Sequence, residues 1–323
     1  MWKLFLVSAA FTAIGQEFDS HAVSETMVPM RDKVQLATDV YRPARAGAAV
    51  EGKFPVLVVR TPYNKAGLAR SGAWFAQRGY VVVAQDCRGR FRSEGDFYAF
   101  LNEGLDGYDT IEWAAAQPWS TGKVGTFGGS YLAWDQHHAA MYRPPHLEAM
   151  FAIVGGSNFY QDYAFPGGAP NLGWGSWLLQ SARSSPLASK DPATVAPINA
   201  VMPAGPMAWL SQHPNKRAGA FELLPAHHRM YADFYGHPEF GDWWKQKGWY
   251  TRGHYNEIKD VPTVFLSGWY DYFGEGTLEN FAELARRQKT PKKLIMGPWP
   301  HGTGRAECGE LTSAPPRRST TSL

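Results

Sequence analysis

A serine hydroxyl is a weak nucleophile near neutral pH. It needs an adjacent base and a fixed, exposed position before it can attack a carbonyl. Ser130 stands in the run Gly128-Gly129-Ser130-Tyr131-Leu132-Ala133, between a short apolar run and a segment with helical spacing. A sharp strand-to-helix turn would lift its hydroxyl clear of the backbone, and such a turn demands small neighbours. Gly128 sits two residues before the serine, as the G-x-S-x-G elbow requires, but Leu132 stands where the second glycine belongs. The same residues would also serve as a glycine-rich helix start with Ser130 as its N-cap. A base and an orienting carboxylate follow in the chain order serine, acid, histidine. Asp271 closes Gly268-Trp269-Tyr270-Asp271, and His301 lies in Gly297-Pro298-Trp299-Pro300-His301-Gly302. His301 would take the Ser130 proton, and Asp271 would hold the imidazole tautomer and stabilise the imidazolium. A turn or cap role for Asp271 and a plain loop role for His301 are the alternatives.

Each of these residues follows a run that reads as a buried strand, the edge at which open α/β sheets place their sites. Met27 to Tyr41 reads as an opening hairpin around Arg31-Asp32-Lys33. Phe54 to Val59 and Tyr80 to Ala84 are continuous apolar runs of the kind buried on both faces of a parallel sheet. Lys123 to Phe127, Leu147 to Val154, Thr263 to Ser267 and Lys293 to Met296 complete the strands. Helical spacing falls between them at 72–78, 106–117, 131–141 and 277–288. This alternation predicts an α/β fold with a parallel sheet covered on both faces. Between 155 and 259 it stops, and Pro, Gly, Trp and His dominate, with a helical piece at Trp174–Arg183. That segment is expected to be a mainly helical cap inserted into a catalytic domain of residues 16–154 and 260–304.

The composition agrees with a globular chain: 44% of the 323 residues are hydrophobic and 19% charged. The formal net charge of +3 is spread without a basic stripe, which argues against a nucleic-acid partner. Lys3, the apolar run Leu4–Ile14 and the pair Ala13 and Gly15 read as a secretory signal peptide at 1–15. The expected location is therefore secreted or periplasmic. No later run is long and apolar enough to span a membrane. The two cysteines, Cys87 and Cys308, make neither a disulfide framework nor a metal motif, so no metal and no cofactor are expected. The tail at 305–323 has no apolar period and is expected to be disordered or aberrant.

Taken together, these residues resemble the X-Pro dipeptidyl-peptidase and cocaine-esterase (CocE/NonD) family of serine hydrolases. The resemblance runs from about Met27 to Gly304. Besides the three blocks above, it rests on Arg60-Thr61-Pro62-Tyr63 and on Asp86-Cys87-Arg88-Gly89 with Ser93-Glu94-Gly95. It implies an α/β-hydrolase fold with an inserted helical cap. The elbow in this family is Gly-x-Ser-Tyr-x-Gly, so Leu132 is ordinary and Ala133 is the departure. The resemblance assigns the oxyanion hole to the Tyr63 phenol and the Tyr131 N–H. It makes Phe165, Trp174, Trp177 and Phe273 candidates for the acyl pocket. It gives Asp86, Arg88 and Glu94 a structural role, and His137 and His138 read as packing residues. Relatives of this kind continue past the histidine into a β-rich jelly-roll domain, and the residues after His301 are not expected to form one.

The expected activity is hydrolysis of carboxylic esters or related acyl amides through an acyl-enzyme, with a small-molecule substrate. The alternatives are an X-Pro dipeptidyl-peptidase or amidase, and a truncated, catalytically idle product. Relatives that act on α-amino-acid esters carry acidic residues just after the triad aspartate. Here those positions are Tyr272 and Phe273, with Glu275 and Asp162 as the nearest other carboxylate candidates.

Overall fold

The computed structural model describes residues 17–211 and 218–302, together with the backbone of 307–308 and 311–312. The expected signal peptide lies outside these residues. The chain opens with a hairpin, β1 (Ser20–Pro29) and β2 (Gln35–Arg45), to which the short β3 (Ala48–Ala49) adds. The Met30–Val34 turn is closed by two backbone hydrogen bonds, with Lys33 at φ 72°. Then come β4 (Phe54–Thr61), α1 (Ala69–Ala76), β5 (Val81–Asp86), α2 (Glu103–Ala115), β6 (Ser120–Gly129), α3 (Tyr131–Ala140) and β7 (Leu147–Ile153). After a long helical segment the sheet resumes as β8 (Thr263–Tyr270) and β9 (Lys292–Pro300).

The strand order is β1-β2-β5-β4-β6-β7-β8-β9, and every pair from β5 to β9 is parallel. The period of two along β5 explains how both faces are covered. Val81 and Val83 face the layer that holds Ile111, Ala139 and Leu284, whereas Val82 and Ala84 face Tyr41 and Ala76. The chain runs from β4 outward to β5 and then back across β4 to β6. That reversal leaves a crevice beyond the carboxyl ends of β4 and β6, the place where such sheets bind ligands.

Between β7 and β8 the chain builds a cap from α4 (Leu172–Arg183), α5 (Pro186–Lys190), α6 (Ala196–Val201), α7 (Gly205–Leu210) and α8 (Pro225–Gly236). Asn171 and Ser185 cap α4 and α5 through their side chains. An antiparallel bridge between Asn158 and Tyr250 closes the neck of this insertion. Its interior is aromatic: Trp174, Trp209, Phe221, Phe234 and Trp244 are buried in one cluster with Trp134 of α3. One long helix, α9 (Gly274–Arg287), then packs between β8 and β9.

The tail corrects one expectation. From 305 the sequence predicts no structure, yet β10 (Glu307–Cys308) and β11 (Leu311–Thr312) pair as an antiparallel ladder. Two-residue strands are too short to leave an apolar period in the sequence. Among the described residues no helix is long and apolar enough to cross a membrane.

The Asp86 block is structural, as the resemblance implies. Arg88 joins Asp106 and Asp32, Glu94 accepts from the Gln35 N–H, and Asp86 accepts from the Lys65 N–H. His137 and His138 are fully buried in α3, and among the described residues neither ring nitrogen of either has a hydrogen-bond partner. Burial lowers them to about 4 and about 3. A depressed histidine leaves the folded state with fewer protons than the unfolded chain below pH 6.5, so stability is lost as pH falls through that value. His138→Phe should therefore gain on the parent protein by about 2 kcal/mol between pH 8 and pH 5. Urea unfolding at the two pH values measures this, and an equal stability gap at both would disprove it.

Candidate active site

β6 ends at Gly129, and Ser130 takes φ 59° and ψ −122°, a conformation strained for a non-glycine residue. The backbone around it enforces the strain. Ser130 N–H donates to Ile153 O at 2.9 Å, while Ser130 O accepts from Ala133 N–H at 2.9 Å. Gly128 has φ 146°, and a Cβ there would lie 2.5 Å from the Leu132 Cβ, so glycine is required. Ser130 does not cap α3 with its side chain, which removes the N-cap alternative. Ala133 is fully buried, and a Cβ on Gly155 would come within 2.9 Å of its methyl. Glycine at 155 thus makes room for the Ala133 methyl.

The Ser130 hydroxyl turns instead to His301, with Oγ and Nε2 2.9 Å apart. His301 Nδ1 lies 2.9 Å from Asp271 Oδ2. A carboxylate only accepts, so Nδ1 carries the proton and Nε2 is left to accept from the serine. Asp271 is buried and held on its other oxygen by the Phe273 N–H at 2.6 Å. The His301 ring stacks on Tyr272 with centroids 4.3 Å apart. Serine, acid and base come from the ends of β6, β8 and β9, the edge expected from the sequence.

Tyr63 and Tyr131 meet beside the serine. Tyr63 lies two residues past β4, the strand next to β6, and its ring packs edge-on against Tyr131 at 6.2 Å. A phenol is protonated near neutral pH, and partial desolvation raises the half-exposed Tyr63 further, so it stays a donor. Tyr131 is the first residue of α3, and a helix leaves the N–H of its first residue unused. Its side chain is anchored below: the hydroxyl donates to Glu103 Oε1 at 2.9 Å and accepts from the Phe100 N–H at 2.9 Å. Glu103 is paired with the buried Arg60 at 2.7 Å.

A cavity of about 60 Å³ opens on Ser130. Trp174, Trp177 and Phe273 line it, where they are expected. Phe165 does not: it stacks on Tyr160 and Phe234 and meets Trp244 edge-on, inside the cap core. An aromatic in a Pro-Gly-Gly turn carries no mark of which way it points. Phe100, Trp134, Phe159, Tyr163 and Tyr272 also line the cavity and are missed by the sequence reading. Trp134 could have been found, since it lies one helical turn beyond Ser130 and on the same face. Phe100 sits in an irregular loop and gives no such signal.

Among the described residues, Cys87, Glu103 and Asp135 alone form a trio close enough to share a metal ion. The buried Arg60 already supplies positive charge to Glu103, and burial pushes Asp135 well up toward its neutral form. Burial also raises the Cys87 thiol, which makes it an inert core residue.

The model of the X-Pro dipeptidyl-peptidase (S15) family matches residues 32–303. The chain belongs to that family. Cocaine esterase from Rhodococcus sp. is 34% identical over 301 residues, covering 87% of this S15 chain and 50% of the esterase. A CocE/NonD family hydrolase from Staphylococcus aureus superposes with a TM-score of 0.59 at 26% identity, over 85% of this chain and 46% of its own. An aminopeptidase from a marine-sediment Thaumarchaeota archaeon has a TM-score of 0.69 at 20% identity, covering 96% and 54%. The S15 chain therefore spans about half the length of these relatives, and the α/β-hydrolase fold expected from the sequence is the fold it shares with them.

Proposed function

We propose that this chain is a serine hydrolase that cleaves carboxylic esters with uncharged acyl groups. The observation that carries the reading is the pair of 2.9 Å contacts joining Ser130 to His301 and His301 to Asp271. Ser130 Oγ attacks the ester carbonyl as its proton passes to His301 Nε2, and the carbonyl electrons move onto oxygen. Tyr63 O–H and Tyr131 N–H donate to that oxyanion. Collapse breaks the bond to the alcohol, which takes the proton from His301. Water, deprotonated by the same imidazole, then frees the acid from the acyl-enzyme. Support for ester chemistry comes also from the Rhodococcus relative, an esterase by name.

The choice of acyl group rests on the lining. Among the described residues none that lines the cavity is a carboxylate. Asp162 is turned away and accepts from the Ser157 and Asn158 N–H groups at 2.6 and 3.0 Å. Glu275 meets Gln161 on the exterior. An α-ammonium group buried among these rings would lose its hydration without gaining a counter-charge, at a cost of several kcal/mol. The aromatic walls suit an aryl or alkyl acyl group. Matched phenylacetate and phenylglycine esters, with a Gly-Pro anilide beside them, test this near neutral pH. The phenylacetate ester should be turned over at least about tenfold faster per unit concentration, and the anilide hardly at all. A preference for either amino-bearing substrate would mean that a carboxylate outside this lining serves the ammonium.

A further inference from the structure

The cap helix α4 reaches down to the hole that would stabilise the oxyanion. Trp177 on that helix donates its indole N–H to the Tyr63 hydroxyl oxygen at 3.2 Å. An indole nitrogen can only donate, so this contact occupies a lone pair of the phenol and leaves its proton available. The indole has little freedom of its own. It stacks on Trp174 at 5.0 Å on one side and on Tyr131 at 6.1 Å on another, and Phe97 leans on it at 6.1 Å. A hydroxyl with one lone pair fixed has only a narrow arc left in which to swing its hydrogen. Acceptance of one hydrogen bond also polarises the O–H and strengthens it as a donor.

We propose that Trp177 is a positioning residue: it fixes the direction of the Tyr63 O–H, so that the cap completes the oxyanion hole of the catalytic sheet. This rests on the assignment of Ser130 as nucleophile and Tyr63 as oxyanion donor. The consequence is that cap placement and chemical competence are linked. If α4 shifts away, Tyr63 keeps its hydroxyl but loses its aim.

A double-mutant cycle tests the proposal with Trp177→Phe, Tyr63→Phe and the double variant, all in the full chain. Phenylalanine keeps an aromatic ring at 177 and removes the indole N–H donor together with part of the bicyclic ring, and the cycle with Tyr63→Phe separates the donor's share from the lost packing. Each protein is first titrated with a fluorophosphonate, which reports both a folded site and a reactive Ser130. Trp177→Phe should lower kcat with an activated phenylacetate ester by about tenfold, the size of one neutral hydrogen bond, with KM within about twofold. In the Tyr63→Phe background the same change should cost almost nothing, because the hydroxyl it serves is gone. Phenylboronic acid, which takes the serine oxygen into a tetrahedral adduct, should weaken in the single variant by a similar factor. Labelled proteins whose losses multiply, or a Trp177→Phe variant with parental kcat, would overturn the positioning role and leave Trp177 as pocket wall only. A parent protein that takes no label would overturn the nucleophile assignment, and this proposal with it.

Discussion

Ser130→Ala should give a folded protein whose hydrolysis of an activated aryl ester falls by at least about ten-thousand-fold, because a covalent nucleophile has no substitute in its site. The fold should tolerate the change. The Ser130 backbone, not its side chain, makes the contacts that hold the elbow, through Ile153 O and the Ala133 N–H. Alanine at φ 59° carries the same Cβ strain that serine already bears. Melting temperature should therefore move little, and the fluorophosphonate label should disappear completely. Residual turnover near the parental rate, with label still incorporated elsewhere, would place the nucleophile at another residue.

Tyr63→Phe is expected to reduce kcat by about a hundredfold or more while KM changes little, as for other losses of a single oxyanion donor. The hydroxyl meets the substrate oxygen weakly in the ground state and strongly once that oxygen carries charge. Its removal therefore falls on the chemical step. The ring itself stays useful, packed edge-on against Tyr131 at 6.2 Å. A rise in KM with unchanged kcat would show that Tyr63 only holds substrate, and the oxyanion would then need another donor. The Tyr131 backbone N–H can be removed only by proline, which would also delete the side chain anchored on Glu103 and the Phe100 N–H. The Tyr63 variant is therefore the one direct test of the hole by side-chain change.

Much of this was legible because strand ends announce themselves. Continuous apolar runs such as Phe54–Val59 mark strands buried on both faces, and the residues just past them must lie on one edge of the sheet. Ser130, Asp271 and His301 were placed in that way, whereas the role of Tyr63 came from the resemblance. The cap was legible only as an interruption. Its rings are governed by packing among irregular turns, where no period tells core from cavity. Phe165 and Trp174 are both buried and lie nine positions apart, yet one fills the cap core and the other also lines the cavity at Ser130. Tyr272 escaped for a different reason. Its neighbour Asp271 drew the chemical reading, whereas Tyr272 acts by stacking on the His301 ring, a contact set by tertiary geometry alone.

The bridge between Asn158 and Tyr250, reinforced by the Phe159 N–H to Trp249 O bond at 2.8 Å, has a bearing on how such a protein can change over time. Because the neck is fastened by main-chain atoms, it is indifferent to the side chains that the insertion carries. The register of β7 against β8, on which the spacing of serine, acid and base depends, is set by main-chain pairing that lies outside the insertion. Appetite for substrates and capacity for the reaction can thus be inherited as nearly separate traits. The contact between Trp177 and Tyr63 is one point at which they are joined. A lineage that remodels its cap would have to keep a donor there, or find another way to aim the phenol.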